Sequence, residues 1–495
     1  MVEKDNSGVV HKEKQKGDKK NELGVTADKD DFSEWFSELM IKAELADYTD
    51  VSGCIVFRPD SYALWEKIQK ETDKELKKLG VRNAYFPLFI PEKFLSMEKE
   101  HVEGFTPEVA WVTMAGETKL NERLAVRPTS EAIMYPSYAK WIRSWRNMPL
   151  RLNQWNNVVR WEFSHPVPFF RTREFLWNEG HSAFATEKEA IGEGKEIIGM
   201  YQKVCSEVLG LYGVSGRKTE GEKFAGGVAS EKIHYILPNG RVIEGPCFHQ
   251  DGQNFSKAYG ITFLNKEGKK DFAWQNTYAI STRMLGAMFA IHADEKGLII
   301  PPKLAEHSVV IVPILFDDSK EKVLKKANEL ASSLEEFGAF ADRREECKPG
   351  FKFNEWELKG VPVRIELGPK DIEKGSAVVV RRDNGEKKEV KFKDLGKEVK
   401  IVLEDIQKKL YEKSEKLFKS KVKKADSLEQ LKELVQDKKV GIVPLCKSGL
   451  CEEDLKFKSG GAKAVFISED KISVKDKCIV CGNKADYFVY AGKTY

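Results

Sequence analysis

The chain has 495 residues, with 82 lysines and arginines against 78 aspartates and glutamates, so its formal net charge is only +4. This length predicts two to four domains, and the charge leaves a nucleic-acid partner open, because binding can use local basic patches. Eight cysteines in so long a chain exclude a disulfide framework, and the sequence shows neither a membrane-length apolar run nor an apolar signal segment. We therefore expect a cytoplasmic protein without a membrane anchor.

The N-terminal residues 1–30 are almost entirely polar, which predicts a disordered tail. Folding is predicted to begin at Asp31, where apolar residues start to recur at helical spacing. A short strand over 54–57 follows, then a helix from an N-cap at Ser61 to Leu79. A strand over 81–90, ended by Pro91, completes this region.

The next informative stretch, residues 125–141, reads AVRPTSEAIMYPSYAKW. Thr129, Ser130 and Glu131 stand at the start of a predicted helix. They could be no more than an N-cap and a first-turn acid. Alternatively, a threonine hydroxyl and a carboxylate at this place form a pocket for a cationic amine.

Residues 158–184 read VVRWEFSHPVPFFRTREFLWNEGHSAF. Arg160 and Glu162 are two apart, so in a strand they would project from the same face. A loop rich in proline and phenylalanine leads to Arg171 and a second predicted strand. Arginine presents a planar fork to phosphate oxygens, so the stretch favours a polyphosphate site over a solvated hairpin.

Two later segments carry further candidate residues. A predicted helix (Glu187 to Leu211) and a basic, glycine-containing loop precede Glu244, Cys247 and His249. Cysteine and histidine two apart could bind a metal, but with no matching pair nearby a thiol lining a substrate pocket is favoured over catalytic zinc. Arg283 begins an apolar helix, where a cation is electrostatically unfavourable, so we expect it to stack on a base or hold a terminal phosphate.

Pro301-Pro302 marks a predicted domain boundary. Strands and helices then alternate from Val309 to Leu367, which predicts a small α/β domain with a mainly parallel or mixed sheet. One of its loops interleaves basic and aromatic residues, a composition that suits unstacked RNA bases but also an ordinary solvated loop. These residues are Arg343, Arg344, Lys348, Phe351, Lys352 and Phe353.

A long charged helix, predicted over 397–423, connects this domain to a C-terminal segment with four cysteines. The cysteines form two short-spaced pairs, Cys446-x4-Cys451 and Cys478-x2-Cys481. This spacing predicts a tetrahedral structural zinc site, with a redox pair or unliganded thiols as the alternatives.

Together, five long motifs resemble those of a class II aminoacyl-tRNA synthetase, specifically a prolyl-tRNA synthetase of the archaeal/eukaryotic type. The motifs are RPTSEA, VVRWEFSHPVPFFRTREFLWNEGHSAF, GRKTEGEKFAGG, DGQNFSKAYGI and STRMLGAMFAIHADEKGLIIPP. The resemblance implies an α+β fold whose antiparallel-sheet catalytic domain covers 31–300. An α/β anticodon-binding domain (301–405) and a small α/β zinc-binding domain (406–495) would follow it. The stretch 174–271 is too short for the editing insertion of the bacterial type.

The resemblance also implies roles for residues. The chain would activate L-proline with ATP and Mg²⁺ and transfer the prolyl group to tRNA(Pro), as a homodimer joined through residues 61–91. Arg160, at the α-phosphate and the proline carboxylate, and Arg283, at the γ-phosphate, would be the catalytic pair. The ATP side would comprise Arg160, Glu162, Arg171, Thr172, Glu244, Cys247, Thr277 and Arg283. The proline side would comprise Thr129, Glu131, Arg160, Trp177, Glu179, His181 and His249.

Two positions depart from the family pattern. Eukaryotic-type members carry glutamine and threonine where this chain has Glu244 and Cys247, which leaves the metal role of Glu244 open. We also expect activation of alanine or cysteine, because a pocket for a small side chain discriminates weakly and no editing insertion is present. Phe351, Lys352 and Glu366 are the predicted anticodon residues.

Two alternatives compete with this assignment: a synthetase for another amino acid, and a non-catalytic tRNA-binding paralogue. The Trp177–His181 stretch and the four-cysteine segment argue against the first. The presence of the matched arginines argues against the second.

Overall fold

The structure, a computed structural model, describes residues 24–101, 108–162 and 166–495. Residues 1–23 of the predicted tail lie outside the described residues. Its last residues, 24–30, pack on the first helix, where the backbone N–H of Ala27 donates to the Glu38 carboxylate at 2.6 Å. Contacts with the first helix therefore begin ahead of Asp31, the predicted start of folding.

The N-terminal unit surrounds a large antiparallel sheet. Its helices are α1 (Phe32–Lys42), α2 (Pro59–Lys78), α3 (Glu92–His101), α4 (Glu131–Trp141), α5 (Glu187–Glu207), α6 (Asn254–Tyr259) and α7 (Arg283–His292). Its strands are β1 (Ala46–Tyr48), β2 (Ile55–Phe57), β3 (Arg82–Asn83), β4 (Phe89–Pro91), β5 (Trp111–Ala115), β6 (Thr118–Val126), β7 (Leu150–Val159), β8 (Glu174–Phe184), β9 (Val214–Arg217), β10 (Ala229–Ile236), β11 (Val242–Gly252), β12 (Thr262–Leu264), β13 (Lys270–Phe272) and β14 (Trp274–Ser281).

Seven of these strands form the sheet, in the order β3-β7-β8-β14-β11-β10-β9. Every pairing in it is antiparallel except that of β3 with β7. Helix α5 begins with a capping box of Thr186 and Glu189 and packs on β11 and β14. Its apolar side joins α1, α2 and α7 in one buried core, which leaves the other face of the central strands available for a site.

Two local predictions in this unit were wrong. The helix predicted from Ser61 begins at Pro59, which suits a first helical position, while the Ser61 hydroxyl donates to the Leu45 carbonyl at 2.6 Å. The strand predicted over 81–90 is two short strands, β3 and β4. Pro87 lies between them, and it cannot donate a backbone hydrogen bond to a sheet.

The second unit is the predicted α/β domain with a mixed sheet. Its strands are β15 (Val309–Pro313), β16 (Phe340–Ala341), β17 (Val363–Leu367), β18 (Ser376–Arg381) and β19 (Lys387–Lys391). Its helices are α8 (Lys320–Ser333), α9 (Pro349–Lys359) and α10 (Pro369–Lys374). Strand β15 pairs in parallel with β16 and β17, and the strands β17, β18 and β19 pair antiparallel.

One long helix, α11 (Leu395–Lys421), contacts all parts of the molecule. Leu403 lies in the core of the second unit, and the Gln407 amide donates to the Glu207 carbonyl of the first at 3.1 Å. Farther along, Lys413 Nζ donates to the His292 carbonyl at 2.8 Å, and Phe418 packs with the C-terminal unit. The expected domain boundary at 405 falls inside this helix.

The C-terminal unit has a four-stranded sheet in the order β20-β21-β23-β22. Its elements are β20 (Val422–Lys424), α12 (Leu428–Gln436), β21 (Val440–Leu445), α13 (Gly449–Lys458), β22 (Lys463–Ile467) and β23 (Tyr487–Gly492). Phe466 stacks on His234 of β10 with ring centroids 4.2 Å apart. Thr219 donates to the Glu452 carboxylate at 3.0 Å, so this unit braces the loop that follows β9.

Across the described residues, no helix is long and apolar enough to span a membrane.

Candidate active site

Three central strands carry the core of the site on one face. The register pairs His181 of β8 with Thr277 of β14, and Thr277 with His249 of β11. Glu179 and Ala279 form the next pair along β8 and β14. Because residues two apart in a strand share a face, these side chains form one continuous patch.

A cavity of 280 Å³ lies over this patch. Eleven of the fourteen residues predicted for ATP and proline line it: Thr129, Glu131, Arg160, Trp177, Glu179, His181, Glu244, Cys247, His249, Thr277 and Arg283. The other three lie outside that lining. Glu162 is exposed, Thr172 is buried, and the Arg171 guanidinium lies 5.9 Å from the Tyr495 ring.

The prediction that Arg160 and Glu162 share one strand face was wrong. Strand β7 ends at Val159, so both residues lie beyond its last alternating position. The backbone N–H of Arg160 still donates to the Arg173 carbonyl at 2.8 Å, which holds this residue beside β8. Glu162 lies past that contact and points to solvent.

Glu179 is the most heavily hydrogen-bonded acid of the cavity. Its carboxylate accepts from Gln154 Nε2 at 2.9 Å, from Asn156 Nδ2 at 2.7 Å and from the Ser130 backbone N–H at 3.1 Å. Burial raises its pKa, but the bonds from His181 and these donors outweigh that effect and hold it below its usual value. It is therefore a buried carboxylate, suited to bind a cation.

The start of α4 adds a second acid to the same end of the cavity. The Thr129 hydroxyl donates to the Glu131 carboxylate, and the Ser130 hydroxyl donates to Glu179. These hydroxyls are thus engaged with carboxylates of the cavity, which fits the pocket interpretation of this stretch rather than the capping one.

Two histidines complete this end. His181 Nδ1 lies 3.1 Å from the Tyr135 hydroxyl and Nε2 lies 3.3 Å from Glu179. Burial lowers the pKa of His181, but Glu179 raises it above its usual value overall. His249 differs: burial and the charge of Lys232 lower its pKa to about 3, so it is neutral, and its Nδ1 lies 2.7 Å from the Ser230 hydroxyl.

Two arginines line the same cavity. Arg160 Nε donates to the Pro128 carbonyl at 2.9 Å, and the Arg160 guanidinium lies 5.3 Å from the Trp177 ring. Trp177 in turn donates to Asn156 at 2.6 Å, so its ring is a fixed wall. Arg283, the first residue of α7, places Nη1 3.4 Å from the Glu244 carbonyl.

Two lysines that the sequence did not single out bind Glu244. Lys218 Nζ lies 2.6 Å from Oε1, and Lys232 Nζ lies 2.7 Å from Oε2. Burial raises the pKa of Glu244, but the two ammonium groups lower it well below its usual value. Glu244 is therefore a carboxylate whose two oxygens are both paired.

The four C-terminal cysteines converge as their spacing predicted. Their Sγ atoms all lie within 4.8 Å of one another, and Cys446 Sγ is 3.9 Å from Cys481 Sγ. Tetrahedral zinc with Zn–S bonds of ~2.3 Å needs sulfurs about 3.8 Å apart, so the four thiols fit this ion. Among the described residues this is the one group of three or more metal-ligating side chains that lie together.

The three predicted anticodon residues lie in different environments. Phe351 is 40% exposed. Lys352 is buried and donates to the Asp342 carbonyl at 3.0 Å, and Glu366 accepts from Lys387 at 3.1 Å. Only Phe351 of these three is thus substantially open to solvent.

Comparisons with known proteins agree with this arrangement. Residues 112–292 match the class II core domain of tRNA synthetases (G, H, P, S and T), 308–401 an anticodon binding domain, and 428–495 the C-terminal domain of prolyl-tRNA synthetases. The cytoplasmic proline--tRNA ligase of Arabidopsis thaliana is 42% identical, over 96% of this chain and 92% of the relative.

The chain belongs to the prolyl-tRNA synthetase family.

The chain is also similar to two further proteins of this family, which it covers to different extents. The chain spans 33% of the bifunctional glutamate/proline--tRNA ligase of Mus musculus, to which it is 43% identical over 96% of its own length. The crystal structure of the prolyl-tRNA synthetase from Cryptosporidium parvum, complexed with halofuginone and AMPPNP, is 42% identical. It superposes with a TM-score of 0.91 over 96% of this chain and 100% of that one.

Sequence reasoning missed a second layer of the synthetase site. Gln154 and Asn156 lie two apart on β7, and both donate to Glu179. Lys232 lies on β10 and binds Glu244. The spacing of two between Gln154 and Asn156 was the available signal, because alternate residues of a strand share a face. Phe224 was also missed: its ring lies 4.7 Å from that of His249, although the motif GRKTEGEKFAGG marked its loop.

A buried acid below the sheet gives a testable pH dependence. Glu193 of α5 accepts from Asn276 Nδ2 at 2.9 Å and lies 3.2 Å from Arg151 Nε, and burial raises its pKa to about 6. Because the folded state then binds the proton more tightly, this carboxyl contributes about 2 kcal/mol to the free energy of unfolding at pH values well below 4.5, and that contribution should be lost progressively as the pH rises through 4.5 and past 6. Chemical denaturation of the wild type and Glu193→Gln measures this. An equal fall in both proteins contradicts it.

Proposed function

We propose that this synthetase activates L-proline with ATP to prolyl-adenylate and transfers the prolyl group to the 3′ end of tRNA(Pro). One observation carries the proposal: the carboxylates Glu131 and Glu179 and the guanidinium groups of Arg160 and Arg283 line one cavity. A zwitterionic amino acid needs carboxylates for its ammonium group and arginines for its carboxylate. A polyphosphate needs the arginines. Mg²⁺ would enter with ATP as part of the substrate complex.

The carboxylates define the proline end. The secondary ammonium group of proline would lie at Glu131 and Thr129, with the Glu179–His181 pair behind it. The ring would rest against the Trp177 indole, whose orientation Asn156 fixes. The proline carboxylate would then point toward Arg160, which lies over the same indole.

The reaction at the other end is a displacement at phosphorus. A carboxylate oxygen of proline attacks the α-phosphorus of ATP, the bond to the bridging oxygen breaks, and pyrophosphate leaves with that electron pair. Arg160 would neutralise the α-phosphate, and Arg283 would neutralise the γ-phosphate of the departing pyrophosphate. Because the substrate supplies the nucleophile, the protein contributes position and charge rather than a covalent group.

Transfer to tRNA follows at the same place. A hydroxyl of the terminal ribose attacks the prolyl carbonyl carbon, the carbon–oxygen bond to the phosphate breaks, and AMP leaves. We propose that residues 31–300, 301–405 and 406–495 serve as the catalytic, anticodon-binding and zinc-binding domains. Phe351 would contact the anticodon directly, while Lys352 and Glu366 would shape that surface from beneath.

We further propose a structural zinc at Cys446, Cys451, Cys478 and Cys481. Thiolates at these four positions would close the tetrahedron and leave no position for a substrate, so the ion would supply folding stability alone. A cytoplasmic homodimer joined through residues 61–91 is the assembly that we propose.

Amino-acid-dependent ATP–pyrophosphate exchange tests the function. Proline should give the highest rate. Alanine or cysteine should give measurable exchange at a kcat/KM lower by about 10- to 100-fold, because a small pocket rejects a smaller or isosteric side chain by no more than one or two orders of magnitude. A higher rate with another amino acid would assign a different synthetase, and exchange with none would indicate a tRNA-binding paralogue. No exchange at all with alanine or cysteine would contradict the weak-discrimination argument alone.

A further inference from the structure

The phosphate end of the cavity contains a charged triad, formed by Lys218, Glu244 and Lys232. Glu244 bridges the two ammonium groups through separate oxygens, at 2.6 and 2.7 Å. The triad carries two positive charges and one negative charge, so the triad itself is cationic. Glu244 and Lys232 line the same cavity as Arg160 and Arg283.

The two lysines have different freedom to bind a ligand. Lys218 is only 3% exposed, and its ammonium also donates to the Val465 carbonyl at 2.6 Å and lies 3.9 Å from Glu222. An ammonium group has three N–H bonds, so the contacts of Lys218 account for its donors. It is held between the catalytic unit and β22.

Lys232 faces the cavity instead. Its side chain is 20% exposed, and its one recorded hydrogen bond among the described residues, to Glu244, leaves two N–H donors for a ligand. Burial lowers its pKa, but Glu244 and Cys247 raise it above its usual value overall, so the group stays protonated. A protonated, partly desolvated ammonium beside two arginines is suited to phosphate oxygens.

Glu244, in contrast, is poorly arranged to bind Mg²⁺ directly. Both of its oxygens accept from lysines, and each ammonium would repel a divalent cation at hydrogen-bond distance. A magnesium ligand at this position would first have to break two ion pairs. The carboxylate is better suited to orient Lys232.

We propose that Lys232 is a third cationic ligand of the ATP phosphates, beside Arg160 and Arg283, and that Glu244 positions it rather than binding magnesium. The proposal rests on the proposed function, since it assigns ATP to this cavity. Glu244 would then act on ATP indirectly, because it orients the ammonium group of Lys232.

Steady-state exchange kinetics of Lys232→Met, Lys232→Arg and Glu244→Gln test the proposal, with the exposed Lys257→Met as matched control. Lys232→Met should raise the KM for ATP and for pyrophosphate by roughly 10- to 100-fold, the worth of one charged hydrogen-bonding group. The KM for proline should stay within twofold. Lys232→Arg should recover most of the loss, and Lys257→Met should match the wild type.

Glu244→Gln distinguishes a carboxylate that orients Lys232 from one that binds Mg²⁺. We expect a smaller rise in the KM for ATP and an unchanged Mg²⁺ concentration for half-maximal rate. A large shift in that Mg²⁺ requirement would overturn the positioning role. Unchanged KM values for ATP and pyrophosphate in Lys232→Met, or an equal rise in the KM for proline, would overturn the role of Lys232.

Calorimetry on the full chain measures the binding of a non-hydrolysable ATP analogue, and this readout does not depend on turnover. Lys232→Met should weaken this binding by the same factor. If the wild type shows proline-dependent exchange and the Lys232→Met variant matches it in both assays, only this inference fails. If the wild type shows no exchange, the proposed function fails, and the analogue still reports on Lys232.

Discussion

Replacing Arg283 by alanine is expected to slow proline-dependent ATP–pyrophosphate exchange by about 10³-fold or more, a loss of several kcal/mol of transition-state stabilisation. Arg283 begins α7, whose residues from Met284 to His292 are buried, so the helix holds the guanidinium in a fixed position. Fixed donors aimed at charge that develops during reaction contribute most when water is excluded. Arg160→Ala should cause a loss of similar size.

The fold should survive these changes. Among the described residues, the one hydrogen bond of the Arg283 guanidinium is a long 3.4 Å contact with the Glu244 carbonyl, so its removal leaves no strongly bonded partner unpaired. Arg283→Lys should recover only part of the rate, because an ammonium keeps the charge but lacks the planar fork. The exposed Arg146→Ala is the matched control and should behave as the wild type. Near-normal exchange by Arg160→Ala or Arg283→Ala would refute the assignment of this cavity.

Loss of the four-thiolate cluster is the second large effect that we expect. Cys478→Ser should abolish stoichiometric zinc and destabilise the C-terminal unit by several kcal/mol, because metal-binding free energy is folding free energy at a site that forms only in the native state. Exchange should also slow, since Lys218 and Thr219 bond to Val465 and Glu452 of that unit. Elemental analysis and thermal unfolding measure the two primary effects.

Cys347→Ser supplies the control, because Cys347 is a free thiol in the second unit, away from the cluster. It should retain both zinc and stability. A wild-type protein that contains a disulfide among the four cysteines, or that keeps its stability after complete removal of zinc, would contradict the structural role. The first outcome would favour the redox alternative.

Much of the fold followed from local sequence. The apolar run at Val309–Pro313 has the length and composition of a buried strand. Together with the strands and helices that alternate after it, this run was sufficient to predict the mixed α/β unit. The end of β7 was not predictable in the same way. Strand β7 ends at Val159 although the Arg160 N–H still donates to the Arg173 carbonyl in the register of β7 and β8, and nothing in the local sequence marks this end.

The candidate site shows the same division. Thr129, Glu179 and Arg283 stand in long motifs, so their types and order point to an amine and a polyphosphate. The pairing of Lys232 with Glu244 depends on the register of β10 and β11, which shifts at a bulge between Lys232 and His234. Alternation along one strand cannot reveal such a shift.

Charge pattern also misled where tertiary contacts dominate. Lys352 lies in a basic, aromatic stretch typical of an RNA-binding loop, yet the structure buries it with its ammonium 3.6 Å from the Asp342 carboxylate. Asp342 directly follows β16, whereas Lys352 lies on α9. The fold therefore brings the two residues together. Phe351, one position away, keeps the exposure that the composition suggested.

Helix α11 sets a fixed distance between the parts of the molecule that would meet the two ends of a tRNA. Its 27 residues span about 40 Å at a rise of 1.5 Å each, and it is anchored near both ends and in the middle. Inserting one residue would rotate everything beyond it by about 100° and detach one set of anchors. The length of this helix therefore cannot change by one residue without loss of an anchor, so it holds the three units of the molecule at fixed separations.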